Sequence, residues 1–598
     1  MNRFAHLLDR LSYEPGRNNK LRLMTDYFRS VEDPERGYAL AALTGALSFQ
    51  HAKPNLIRAL IATRVDPYLF GLSYDYVGDL SETVALLWPA PPRFPSPAGG
   101  RRWPREAGSD EGPSRLSDAD PGERHDPSSD PTSSGHRLPQ AGDGDEALHL
   151  SDVVLTLSTS GKLDLPRVIA GWLDALDETG RWALLKLITG SLRIGVSARL
   201  AKTAVAALGG KAANEIEEVW HGLAPPYLDL FAWVEGRADK PDAIDPAPFH
   251  PAMLAHPLEA RDMDVEDPAL FSAEWKWDGI RVQATRGLDA EDRAAIRLYS
   301  RTGEDISETF PDLTQMLADL PHARFSLDGE LLVVRGGLVQ PFGVLQQRLN
   351  RRTVSMKLLA DFPAAIRAYD LLTLDGEDLR PLPFKERRDR LAAFVAEARH
   401  ERLDLSPIVS FQTWDDLARA RKNPAGAGAG PDAEAIEGLM LKRADSPYLP
   451  GRPKGLWYKW KRDPFTVDAV MMYAQRGHGK RSSFYSDYTF GVWREDAEGD
   501  ALVPVGKAYF GFTDEELAQL DRFVRNNTTN RFGPVREVVH GKDAGLVLEI
   551  AFEGLNRSTR HKSGVAMRFP RVARIRWDKP AREADRIETL EALLRVPV

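Results

Sequence analysis

At 598 residues the chain is too long for a single hydrophobic core, and roughly two to four domains are expected. It is 42% hydrophobic and 28% charged, with a net charge of −8 and no cysteine, which excludes disulfide scaffolds, cysteine nucleophiles and thiolate zinc sites. No apolar run reaches the ~18 residues of a membrane helix, and the opening MNRFAHLLDRLSYEP is too acidic and too short in its apolar part for a signal peptide, so a cytoplasmic chain with no membrane association is expected.

Residues 1–88 read as helices, with Phe4, Leu7, Leu8 and Leu11 at three- and four-residue spacing. The composition then changes from about Pro89 to Glu146. Between 101 and 150 stand six arginines (101, 102, 105, 115, 124, 137) against eleven acids (106, 110, 111, 118, 120, 123, 126, 130, 143, 145, 146), a difference of −5. So few apolar residues cannot offset ordering entropy, and a disordered insert over 89–147 is expected. Helices resume with Val168, Ile169, Trp172, Leu173 and Leu176 on one stripe. In GSLRIGVSARLAK, Gly190 and Gly195 flank Arg193, and Ser197 is placed to cap the next helix. Such a turn either presents backbone amides to a phosphate or simply joins two helices. Residues 240–257 look like a linker.

From about 271 the pattern switches to strands: IRVQATRG, AIRLYSRTGE, FSLDGELLVV, AAIRAYDLL, EGLMLKR and LWYKWKR, with helix-like VLQQRL and FKERRDRLAAFVAEAR between them. This mixture predicts one α/β unit of about two hundred residues. AGAGAG (425–430) reads as a flexible loop ahead of EGLMLK. After Asp463 short strands dominate and predict a small β-barrel.

The chemistry gathers in Glu274-Trp275-Lys276-Trp277-Asp278-Gly279. Strand alternation puts Lys276 between two carboxylates on one face and two tryptophans on the other. Asp328 and Glu330, and Lys459 and Lys461, repeat this two-residue spacing; Glu437 and Lys442 sit in EGLMLK. Alone, each is an ordinary wet strand face. Together they supply a lysine nucleophile, carboxylates for a hard cation, further cations and the aromatic Tyr369, which suits attack on a nucleoside triphosphate.

KWDG, SRTGE, LDGE, YDLL, EGLMLK and WYKWK, in this order and closed by RFPRVARIRWDK, resemble the motif series of the covalent nucleotidyltransferases. Within them the chain is similar to ATP-dependent DNA ligases, the bacterial type with an N-terminal helical DNA-binding domain known as the cisplatin damage response ligases. The resemblance implies three domains: an all-α DNA-binding domain (1–245), an α/β (α+β) nucleotidyltransferase adenylation domain (246–462) and an all-β OB-fold (463–598). It implies ATP and Mg2+ (or Mn2+), with Lys276 forming lysyl-AMP. Glu274 would contact the adenine amino group, with Tyr369 stacked on the ring. Arg281, Arg301 and Glu330 would hold ribose and phosphate, Glu330 and Glu437 the metal, and Lys459 and Lys461 the α-phosphate. Arg452 would touch the nucleotide, and Arg576 and Lys579 would orient the β- and γ-phosphates. The implied substrate is nicked double-stranded DNA, sealed by a monomer on the nucleoid, in repair beside a helicase and an exonuclease. An NAD-dependent ligase would need a four-cysteine zinc module. RNA ligases and capping guanylyltransferases lack the large helical part. A non-catalytic nucleic-acid binder is opposed by the intact Lys276, Glu330, Glu437 and Lys459.

Overall fold

A computed structural model describes residues 1–89, 148–190, 192–241, 245–349, 354–476, 484–496, 499–558 and 561–595. The expected disordered insert lies outside them apart from Pro89. The chain divides into two compact units: Met1–Ala5 with Phe49–Thr189, and His6–Ser48 with Gly190–Val598. The stretch expected to be one helical domain over 1–245 is thus shared between both units. Among the described residues no helix is long and apolar enough to cross a membrane.

The described residues of the first unit are helical. Ile169 and Leu173 of the expected stripe are fully buried, Leu176 nearly so, and Lys186 pairs with Asp79 at 2.6 Å. In the second unit Ser197 caps the helix Ala198–Leu208, as its position predicts, by accepting from Leu200 N at 3.2 Å. Lys20 Nζ donates to the carbonyls of Ile194 and Gly195, at 2.5 and 3.1 Å, which ties down the GSLRIG turn.

Two sheets follow. In one, Phe271–Trp277 lies between Ile436–Arg443 and Ile408–Val409, and Trp457–Lys461 extends the far side. In the other, Ala294–Ser300, Ile280–Leu288, Phe325–Arg335 and Ala364–Leu374 run antiparallel in that order. Alternation along Phe325–Arg335 sends Leu331 to one apolar core and Leu332 to the other, so this strand serves both.

Four local expectations are corrected. The segment 245–257 is not a loose linker: His250 N donates to Gln283 Oε1 at 2.6 Å, Gln283 Nε2 donates back to His250 O at 3.0 Å, and His256–Pro257 pairs parallel with Tyr458–Lys459. AGAGAG is not an open loop but enters two 3-10 turns, Ala425–Ala427 and Gly430–Ala435, because Ala427 and Ala429 pack on the apolar core and Asp432 accepts from Val339 N at 3.0 Å. VLQQRL gives only the short helix Phe342–Leu345. The C-terminal part is β-rich as expected, yet holds the helix Asp514–Asn526, which a capping box of Thr513 and Glu516 closes at its start. Its core joins Val467, Phe490, Val505 and Leu548 to Leu520 and Val524 of that helix.

Candidate active site

A cavity of about 570 Å³ is lined by Glu274, Lys276 and Asp278 from the strand Phe271–Trp277 and the turn after it. Trp275 and Trp277, each 3% exposed, anchor the opposite face, so the strand alternates as its sequence predicts. Each charged residue has a partner from elsewhere. Glu274 pairs with Lys442 at 2.7 Å and Arg388 at 3.1 Å, Lys276 Nζ donates to Glu437 Oε1, and Asp278 pairs with Arg568.

Glu437 reaches the lysine through a local irregularity. It stands five residues before Lys442, and strict alternation would put the two on opposite faces. A register shift between Ile436 and Gly438 re-aims Glu437 toward the cavity. Gly438 permits the close approach: it lies opposite Lys276 on one side and Lys461 on the other, and a Cβ there would stand 2.3 Å from Trp460 O. Gly279 does the same for Glu330, whose Cγ would be 2.8 Å from a Cβ at that position.

Glu330 and Tyr369 also line the cavity. Burial, with Glu437 and Asp278 adding repulsion against Lys276 and Arg281, pushes the Glu330 carboxyl up to about 7. Arg281 lines it as well, but its guanidinium donates to Met253 O at 2.6 Å, Asp328 at 2.6 Å and Tyr448 Oη at 3.1 Å. Lys442 sits 4.5 Å from the Tyr369 ring centroid and donates to the Tyr369 carbonyl at 3.1 Å.

The cations fall into two groups. Lys461 is compensated by Glu437 at 3.1 Å and Glu553 at 2.9 Å. Lys459 and Arg301, which line the cavity, and Arg452, which acts on both electrostatically, have no carboxylate partner among the described residues. Burial, then the repulsion of Arg452, Lys276 and Lys461, lowers the Lys459 ammonium pKa; burial, then Arg281 and Arg452, lowers that of Arg301. Such a cluster is stabilised by an entering anion. No group of three or more metal-ligating side chains occurs among the described residues. A magnesium ion carried by phosphates needs only one or two protein carboxylates, and Glu330 and Glu437 both line the cavity, Glu437 with its oxygens on Lys276 and Lys461.

Arg576 and Lys579 are placed elsewhere. Both pair with Asp468, at 3.0 and 2.7 Å, Arg576 also pairs with Asp578 at 2.9 Å, and neither lines the cavity. Arg568 does line it, with its guanidinium 4.5 Å from the Phe342 ring centroid. Sequence reasoning assigned no role to Arg388, Arg568 or Glu553. Lys442, named in the sequence as one of the further cations, does line the cavity, with Met440 two residues before it. FKERRDRL offered none: it reads as an ordinary charged helix, and only the fold turns Arg388 toward Glu274.

Residues 252–461 match the family described as ATP dependent DNA ligase domain, and residues 481–579 match the ATP dependent DNA ligase C terminal region. A "Probable DNA ligase" of Koribacter versatilis is 34% identical over 435 residues, covering 69% of this chain and 71% of that protein. Another from Opitutus terrae is 30% identical over 672 residues, covering 99% of this chain but 62% of the relative. The solved structure named Pmar-Lig_PreS3 is 13% identical with a TM-score of 0.50, covering 96% of this chain and 99% of that one, a likeness of fold. The chain therefore belongs to the ATP-dependent DNA ligases, enzymes that seal 5′-phosphate/3′-hydroxyl nicks in duplex DNA through a covalent lysyl-AMP and a DNA-adenylate.

Proposed function

We propose that Lys276 is the nucleophile of this reaction and that the uncompensated cations beside it form the phosphate site. The observation that carries the reading is Lys276, held by Glu437, in a cavity whose Lys459 and Arg301 lack any carboxylate partner among the described residues. Lys276 Nζ, once deprotonated, attacks the α-phosphorus of ATP, the bond to the β-phosphate breaks, and pyrophosphate leaves. AMP then passes to the 5′-phosphate of a nick, and the 3′-hydroxyl displaces it to close the phosphodiester. Phosphoryl transfer of this kind depends on positioning and charge stabilisation more than on acid–base groups.

Glu274 receives the adenine amino group, Tyr369 stacks on the ring, and Arg281, Arg301, Arg452 and Glu330 hold ribose and phosphates. Lys459 and Lys461 take the α-phosphate; Arg576 and Lys579 orient the departing pyrophosphate. Mg2+ or Mn2+, held by Glu330 and Glu437, would offset the phosphate charge. The finer layout is an α-helical DNA-binding domain over 1–245, an adenylation domain over 246–462 and an OB-fold over 463–598, supported by helical, mixed and β-rich stretches in that order. A monomer acting on nicked DNA in the cytoplasm, in repair with helicase and exonuclease partners, is the setting that the sequence resemblance supports.

The test is Lys276→Arg, which keeps the charge but cannot deprotonate because its pKa exceeds about 12. Incubated with ATP labelled at the α-phosphate, it should give no adduct and no sealing. Adduct formation at the parental level would move the nucleophile elsewhere.

A further inference from the structure

Glu274 is 1% exposed and has a cation at each carboxylate oxygen: Lys442 Nζ at 2.7 Å from Oε2 and Arg388 Nη1 at 3.1 Å from Oε1. The two contacts differ in kind. Lys442 lines the cavity, whereas Arg388 comes from the helix Phe384–Ala398, lies behind Glu274, and is not part of the cavity wall. Arg388 Nη2 donates to the Ser406 carbonyl, which fixes the guanidinium. Its Nη1 faces Oε1 without hydrogen-bond alignment, so both atoms are buried with no hydrogen-bond partner. Oε1 is therefore compensated in charge while its lone pairs stay unused. A buried acceptor left in that condition is costly unless something supplies a donor, and Glu274 borders the cavity.

We propose that Arg388 is a positioning residue for base selection: together with Lys442 it holds Glu274 as a fixed, acceptor-only carboxylate that admits purines with a 6-amino group and rejects those with a 6-carbonyl. The inference rests on the reading that the base of the nucleotide lies against Glu274. An ionised carboxylate can only accept hydrogen bonds. Adenine offers it an N–H, whereas hypoxanthine offers a carbonyl oxygen, and two acceptors repel. A carboxylate that loses the cation at one of its oxygens is no longer held in a single orientation. Its acceptor then no longer stands fixed against the 6-position, so the discrimination weakens from behind, without any change in the groups that touch the base.

The experiment compares self-adenylylation by ATP with self-inosinylation by ITP, as kcat/KM, in the full-length protein. Arg388→Gln removes the charge while keeping a donor for Ser406. It should lower the ATP:ITP ratio by roughly tenfold, the worth of one charge-assisted hydrogen bond, mostly through KM. Arg388→Lys should restore most of the ratio. If both nucleotides lose equally and the ratio holds, Arg388 is merely structural and the proposal is overturned. Sealing of a pre-adenylated nick reports folding independently of ATP. Should Arg388→Gln fail that check, Arg388→Met, which also removes the charge, decides: a lowered ratio supports the proposal, and a parental ratio overturns it. Glu274→Gln separates the two layers. A parental ratio in that variant would sink the base-site reading itself. A flattened ratio there, beside an unchanged one in the Arg388 variants, would sink the present proposal alone.

Discussion

The protein holds two cation-rich places, and they are prepared differently. Around Lys276, the cations Lys459, Arg301 and Arg452 repel one another and none forms an ion pair with a carboxylate among the described residues, although the charge of Glu330 acts on Arg301. At the C-terminal end, Arg576 and Lys579 share the single carboxylate oxygen Asp468 Oδ2, at 3.0 and 2.7 Å. The first place is already arranged for an anion. The second must give up an ion pair before it can reach one. Cation content alone, five in the twelve residues of RFPRVARIRWDK and three in the seven of LWYKWKR, does not distinguish the two places; the placement of carboxylates does.

Four changes would break or sharpen that contrast. The largest effect is expected from Lys459→Ala, which removes an uncompensated cation: lysyl-AMP formation should fall by roughly 10²–10³, the cost of deleting one preorganised transition-state contact. A rate within a few-fold of the parent would mean that this cluster does not meet the triphosphate. Next come Arg576→Ala and Lys579→Ala, which should slow lysyl-AMP formation by roughly tenfold while leaving sealing of a pre-adenylated nick near the parental rate. A strip that only grips DNA would impair both reactions alike, and more so at high salt. Asp468→Asn should act in the opposite sense, lowering the KM for ATP by roughly threefold because an ion pair of this exposure is worth little and no longer competes. A higher KM would show that Asp468 orients the cations and does not merely occupy them. Smallest of all, deletion of 95–145 should leave nick sealing within about twofold, since so polar a stretch has few apolar side chains with which to support the fold.

Much of the site was legible in the sequence because strands impose a period of two. That period put Trp275 and Trp277 in the core and Glu274, Lys276 and Asp278 toward the cavity. It fails where the backbone departs from it. Glu437 reaches Lys276 only through the register shift before Gly438. AGAGAG resembles a linker by composition, yet its small side chains are what let Ala427 and Ala429 pack on the core. Nor can spacing show long-range pairing. The partners of Glu274 lie 114 and 168 positions away, at Arg388 and Lys442, and Asp468 finds Arg576 only across the one antiparallel strand, Val547–Phe552, that lies between them. The same limit explains why Arg568, one of many cations in its stretch, could not be singled out as the one that pairs with Asp278.

The central claim, that Lys276 carries the AMP, is tested most directly by mapping the adduct. Incubating the protein with ATP and magnesium, digesting it, and locating the added adenylate by mass spectrometry should place the modification on the peptide containing Glu274-Trp275-Lys276, as an acid-labile, base-stable phosphoramidate. An adenylate found instead on Lys459, Lys461 or any other side chain, with Lys276 unmodified, would contradict the account.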